Sequence, residues 1–165
     1  MPHAFRFRPR RFGTALLCAL AASPALPPAA HARTTPVPPV VDTAGLPALQ
    51  QPWPKHNPYR GNALAAEVGR SAFNQSCAGC HGVDADGEHA AAPDLRRLGR
   101  SCSRVRDAEF RQRCVADVDH YFRDSVLKGK VKVGVEHMPA WEGVLAPELV
   151  WAIRSFVESQ AGRKP

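Results

Sequence analysis

Methionine is almost absent from this chain of 165 residues: beyond Met1 there is one, Met138. Acidic side chains are missing before Arg33, where Arg6, Arg8, Arg10 and Arg11 stand. No apolar run reaches the roughly 20 residues that a membrane-spanning helix requires. The longest, Phe12 to Ala22, is closed by Pro24, Pro27 and Pro28. Strand-like alternation is lacking, which argues against a β-rich fold. There is also no βαβ pattern, which removes the usual setting of a thioredoxin-like dithiol.

The basic N-terminus, its short apolar stretch and the A-x-A triplet Ala30-His31-Ala32 form the three parts of an export signal. The mature chain is expected to start at Arg33, leaving no anchor; a retained anchor is the alternative reading of Phe12–Ala22. Leu17 is too large for the position before a lipidated Cys18. Arg10-Arg11-Phe12 lacks the rest of a twin-arginine signal, so the general secretory route is expected. Four of the 22 Lys and Arg and none of the 15 Asp and Glu precede Arg33, so the mature formal charge is 18 minus 15, or +3. That balance gives nucleic-acid binding little support. Residues 1–32 therefore read as a signal peptide, 33–56 as a Pro-rich extension and 57–165 as one domain. Seven prolines between 34 and 58 make that stretch an extended arm, with Trp53 and Tyr59 positioned to pack onto the domain.

Cys77-Ala78-Gly79-Cys80-His81 carries the chemistry. C-x-x-C-H offers two thiols to the vinyl positions of one haem edge and an adjacent imidazole to the iron. A zinc site needs two more ligands at short spacing, and the remaining pair, Cys102 and Cys114, stands twelve residues apart. Covalent haem attachment of this kind belongs outside the cytoplasm, in agreement with the export signal. In such an oxidising compartment Cys102 and Cys114 read as a disulfide, with a pair of free thiols as the alternative.

The domain is expected to be all-α. Asn62 is a candidate N-cap for a helix whose Leu64, Val68, Gly69 and Phe73 share a face leading into Cys77. Pro147 opens a second helix with Leu149, Ile153, Phe156 and Val157 on one face. Packing the two together is the economical way to bury both, with Gly69 admitting a ring such as Phe156. Between them Val115, Val118, Phe122 and Val126 recur at helical spacing from about Asp107 to Leu127, and Gly129 is a stop.

His81 fills one axial position. Met138, held before Pro139 in a loop, offers a thioether for the other, and a His/Met haem has a raised reduction potential. A gap-filling core methionine is the bland reading; His137, His89 and His120 are rival ligands.

Together these residues resemble a class I mono-haem cytochrome c. The resemblance rests on C-A-G-C-H after the amphipathic helix, Ala92-Pro93-Asp94-Leu95, Met138-Pro139 and the C-terminal aromatic helix, and it covers residues 57–160. It implies N- and C-terminal helices packed together around one covalent haem c. It also implies that Pro93 offers its carbonyl to the His81 Nδ1–H, that Leu95 packs on the haem, and that Trp141 belongs to the haem surroundings. More narrowly, the segments Asn57–Asn62, Ser125–Lys130 and Met138–Gly143 resemble the PedF-type cytochromes of periplasmic quinoprotein alcohol oxidation. That similarity implies one-electron carriage in the periplasm. The donor would be a PQQ-dependent alcohol dehydrogenase, and the acceptor a terminal oxidase or other cytochrome.

Lys128, Lys130 and Lys132 could rim an exposed haem edge and steer an acidic partner; an ordinary solvated loop is the alternative. Three other functional classes compete: a haem enzyme with an open sixth position, a cytochrome subunit fixed in a larger oxidoreductase, and a module without haem.

Overall fold

In the computed structural model, residues 35–87 and 90–163 are described; the expected signal peptide, Cys18 and His89 lie outside them. The frame is a pair of helices that meet at backbone distance. The first, α1 (Ala63–Ser76), starts at Asn62, whose side-chain oxygen accepts the Ala65 N–H at 3.1 Å, satisfying one of the four orphan donors of a helix start. The last, α4 (Pro147–Ser159), opens on a proline whose missing N–H needs no partner there. They cross at Gly69, where a Cβ would lie 2.0 Å from the Ala152 carbonyl oxygen.

That crossing corrects the expectation for Gly69, which makes room for the α4 backbone rather than for the Phe156 ring. Phe156 packs instead on Phe73, with centroids 5.2 Å apart and planes tilted by 53°, an arrangement suited to aromatic quadrupoles. Leu64 also departs from its expected place and is exposed. The buried stripe of α1 is Ala65, Gly69, Ala72 and Phe73, because so close an approach admits small side chains. In α4 every residue from Leu149 to Val157 is buried, so it is the central rod of the molecule.

A third long helix is α3 (Ala108–Lys128). The Asp107 carboxylate accepts the Phe110 N–H at 2.9 Å at its start, and Gly129, at φ +67°, ends it. Phe122 and Val126 enter the main core, while Val115 and Val118 are half-buried. On the same face sits a fully buried carboxylate, Asp119. It accepts from Arg154 Nε at 3.0 Å, Arg60 Nη2 at 2.7 Å and the Asn57 N–H at 2.9 Å. Glu158 closes the network by pairing with Arg60 at 2.9 Å and Arg154 at 3.0 Å.

The domain is mostly helical, with one addition to the all-α expectation. After α3 the chain makes an antiparallel hairpin of β1 (Lys130–Lys132) and β2 (Val135–Met138). It pairs Lys130 with Met138, Val131 with Glu136 and Lys132 with Val135, with an irregularity after Lys130. Val133 and Gly134 turn it, both at positive φ (50° and 75°), as a tight two-residue hairpin demands. Strands of three and four residues are too short to declare a period of two.

Residues 35–58 form neither helix nor strand, yet they lie on the domain. The Val40 N–H and carbonyl exchange hydrogen bonds with the Gln75 side chain at 2.9 and 3.1 Å. The Leu49 N–H donates to Glu148 at 2.9 Å, and the Tyr59 hydroxyl donates to the Pro47 carbonyl. Leu46 and Tyr59 complete a second core cluster with Ala65, Trp151 and Ala152, and Trp53 packs half-buried on the main one. Among the described residues no helix is long and apolar enough to cross a membrane.

Candidate haem-binding site

Cys77 closes α1, its N–H bonded to the Phe73 carbonyl at 2.7 Å. The chain then makes one more turn, α2 (Ala78–His81), through Cys80 N–H to Cys77 O at 3.2 Å and His81 N–H to Cys77 O at 3.0 Å. Residues three and four apart share a helix face, so this turn sets Cys77, Cys80 and His81 on one side. Both thiols are unbonded; Cys77 is half-buried against the main core and Cys80 is exposed. Burial, with a smaller push from Cys80, raises the Cys77 thiol to about 12, which keeps it protonated at neutral pH.

His81 Nδ1 lies 3.1 Å from the Pro93 carbonyl oxygen. A carbonyl can only accept, so the proton sits on Nδ1 and Nε2 keeps its lone pair free for a metal. Burial lowers the His81 pKa against the opposing pull of the Pro93 bond, and the neutral ring is the ligating form.

Pro93 reaches this place because the intervening loop is pinned. Gly82, at φ +81°, leads into it, and a Cβ there would meet the Asp86 carboxylate at 2.1 Å. Asp84 is held by Arg70 Nε at 2.8 Å and Asn74 Nδ2 at 2.7 Å. Those hydrogen bonds, Arg70 first, hold the Asp84 carboxyl down at about 2. The Ala92 N–H then donates to the Cys80 carbonyl at 3.0 Å and closes the loop. Leu95 follows in a short 3₁₀ turn, Leu95–Arg97, capped by Asp94, and packs on the main core.

Met138 ends β2. It is half-buried and packs on the same core cluster as Cys77 and Leu95, and Trp141 is a buried member of that cluster. The segment is tied to the end of α3: Trp141 N–H donates to the Val126 carbonyl at 3.0 Å and Glu142 N–H to that of Leu127 at 3.1 Å. At Gly129 a Cβ would come 2.4 Å from the Met138 carbonyl oxygen. Of the rival ligands, His137 is exposed on β2, and His120 is exposed on α3 beside Arg123 and Asp124.

Two free thiols one turn apart, an imidazole with Nε2 available and a thioether on the same apolar cluster fit a covalently attached haem with one nitrogen and one sulfur axial ligand. Cys102 and Cys114 are joined as a disulfide with Cα atoms 5.6 Å apart, bracketing the approach to α3. Lys128 pairs with Asp124 at 2.6 Å, Lys130 Nζ sits 4.5 Å above the Tyr121 ring, and Lys132 is exposed on β1.

Sequence reading passed over two positioning residues. Gly129 was read as a helix stop, whereas it also admits the Met138 backbone. Asp119 went unremarked, although an acid inside the stripe Val115, Val118, Phe122, Val126, facing an arginine inside the apolar face of α4, is a detectable signal.

Residues 64–157 match the family model described as cytochrome c oxidase, cbb3-type, subunit III. Cytochrome c550 of Pseudomonas aeruginosa is 39% identical over 134 residues, covering 79% of this chain and 81% of that protein. The cbb3-type cytochrome c oxidase subunit FixPc of Rhizobium leguminosarum bv. viciae is 38% identical over 98 residues. That match covers 59% of this chain and spans only 28% of the relative. No solved structure matches the chain.

Proposed function

The chain belongs to the cytochrome c family, and from that membership we propose that it is a periplasmic one-electron shuttle with a His81/Met138-ligated haem. As a family member it is an electron-transfer protein rather than an enzyme, and its cofactor is covalently bound haem c. The haem supplies the one-electron iron couple.

The chain's residues do the rest. Cys77 and Cys80 would hold the haem covalently through their sulfurs. Pro93 fixes the tautomer and angle of His81, His81 and Met138 would ligate the iron, and Leu95 and Trp141 would keep water from its apolar side. With both ligands engaged, the iron would offer no position to oxygen or peroxide. The observation that carries this reading is the His81 Nδ1 contact with the Pro93 carbonyl at 3.1 Å, because it leaves the opposite nitrogen as a ready ligand.

The partners follow from the narrower similarity to PedF-type cytochromes: a PQQ-dependent alcohol dehydrogenase as donor and a terminal oxidase or other cytochrome as acceptor. Export with cleavage near Ala32 places the shuttle between them. Lys128, Lys130 and Lys132 rim the electron-crossing edge, so turnover with the native donor slows as salt rises or as these lysines are reversed.

A fixed-subunit role has one point in its favour, the partial likeness to the oxidase subunit FixPc. Against it, the arm that would wrap a partner is engaged on the chain's own α1 and α4 through Gln75, Glu148 and Trp151.

The test is the optical spectrum of the oxidised holoprotein. The weak far-red methionine-to-iron band is expected in the parent and absent from Met138→Ala. A band that persists in the variant overturns the ligand assignment, and ready carbon monoxide binding by the parent overturns the closed site.

A further inference from the structure

Positive charge on the mature chain is concentrated in one place. Between 96 and 113 stand seven arginines, Arg96, Arg97, Arg100, Arg104, Arg106, Arg111 and Arg113, against two acids, Asp107 and Glu109. The segment carries +5 where the mature chain as a whole carries +3, so the remainder is net negative. Some of this charge is already engaged. Arg97 pairs with Asp94 at 3.6 Å, Arg96 with the same carboxylate at 2.9 Å, and Arg113 with Glu109. Arg100, Arg104, Arg106 and Arg111 are exposed and have no carboxylate partner among the described residues. The Cys102–Cys114 bridge holds this segment in shape.

Beside it runs a groove of about 740 Å³. Its lining includes the apolar side chains of Leu98, Val115 and Val118, Arg100 and Arg111 of the insert, and Asn62 at the N-terminus of α1. The Arg60 and Arg154 charges that also border it are balanced within the network by Asp119 and Glu158. The net charge left in the groove therefore comes from the insert, and a helix N-terminus adds to it. A flat anionic surface has no use for a recessed apolar lining, whereas a polypeptide with one apolar side chain among carboxylates fills both parts. Arginine suits that partner, because its planar fork binds carboxylates two bonds at a time.

We propose that this disulfide-held arginine insert and its groove bind an acidic polypeptide segment of a redox partner, with an aliphatic side chain seated on Leu98, Val115 and Val118. The redox character of the partner rests on the electron-carrier reading; the binding chemistry does not. Val115 and Lys128 are separated by about 20 Å along α3 at 1.5 Å per residue, so this surface is distinct from the lysine rim. It holds a partner while the haem edge exchanges electrons.

The experiment uses reduced, isotope-labelled holoprotein and a synthetic peptide of glutamates around a central leucine, followed by amide chemical shifts. Saturable shifts at Gly61, Leu98, Gly99 and Val118 are expected. They weaken at least tenfold in Arg100→Glu with Arg111→Glu, and several-fold when the peptide leucine is replaced by alanine. Lys130→Glu with Lys132→Glu, an equal change in charge, weakens them far less than the arginine pair does. The haem spectrum of each variant reports that the domain is folded. Absence of saturable shifts, or equal binding by the arginine variant, overturns the proposal. So does Arg100- and Arg111-dependent binding to phosphatidylglycerol vesicles without binding to the peptide, which would make this a membrane-facing surface. None of these outcomes bears on the Met138 band, so failure here and failure of the haem-ligand reading are told apart.

Discussion

The two seams of α4 are built by opposite means. Against α1 it is a dry contact of backbone on backbone, with Gly69 under the Ala152 carbonyl and the Phe73 and Phe156 rings beside it. Against α3 it is an ionic lock, in which Asp119 takes hydrogen bonds from Arg154, Arg60 and Asn57 around a smaller apolar contact of Phe122 and Val126. The first seam rests on close apolar and backbone contact and contains no ion pair, although the Trp151 Nε1 beside it is buried without a hydrogen-bond partner. The second is specific because a buried charge tolerates one arrangement of partners and penalises every other. The candidate haem-attachment motif hangs on the first seam, whereas Met138, tied through Trp141 and Gly129 to the end of α3, hangs on the second. The two candidate axial ligands are therefore positioned by different physics.

Breaking the ionic seam has the largest expected effect. Asp119→Ala leaves the buried guanidinium of Arg154 with one acidic partner fewer and should cost about 3–5 kcal/mol, read by denaturant unfolding of the holoprotein. The far-red band should be lost at lower denaturant than the far-ultraviolet helical signal, because the Met138 side of the molecule loosens first. Simultaneous loss of both would show that the seams are not separable. Breaking the backbone seam comes next: Gly69→Ala forces α1 and α4 apart and should cost about 1–3 kcal/mol, with the far-red band and the helical signal lost together. A neutral Gly69→Ala would mean that the crossing is looser than 2.0 Å implies.

The smallest effect belongs to the exposed counterpart of the buried lock. Asp84, held down at about 2 mainly by Arg70, has a folded-state pKa below its unfolded one. Its contribution is therefore present above pH 4 and lost as pH falls toward 2. Because the pair is solvent-exposed, that contribution is small. Arg70→Gln should lower stability slightly at neutral pH and flatten the acid limb of the stability profile, the difference from the parent vanishing as pH falls toward 2. An equal loss at pH 7 and pH 3 would count against the Arg70 attribution.

How much of this was legible in the sequence depended on distance along the chain. Helix starts at Asn62, Asp107 and Pro147 and the stop at Gly129 were readable because caps are local chemistry. The pairing of the terminal helices was readable because each needs a cover for its apolar face. Its geometry was not: whether Gly69 meets a ring or a carbonyl depends on helix rotation, which a one-dimensional pattern does not contain. Leu64 was misplaced for the same reason, since Ala65 and Ala72 carry the buried stripe. The hairpin escaped because Lys130–Met138 is too short for alternation to stand out and turns on Val133, a residue disfavoured at positive φ. In the candidate site, Cys77, Cys80, His81 and Pro93 lie within one stretch of chain and their arrangement follows from a helical turn and a closed loop. The placement of Met138 depends on α3, and so on Asp119, Arg60 and Arg154, which meet from three separate segments.

The crossing at Gly69 also sets an order of events during synthesis. Its partner, Ala152, stands 83 residues further along the chain, and a chain that grows from its N-terminus cannot form the seam until that residue has been made. Cys77 and Cys80 emerge early and wait beside an unfinished core. α4 completes the core on which Cys77 packs, so the same contact that completes the fold also restricts the surroundings of its thiol.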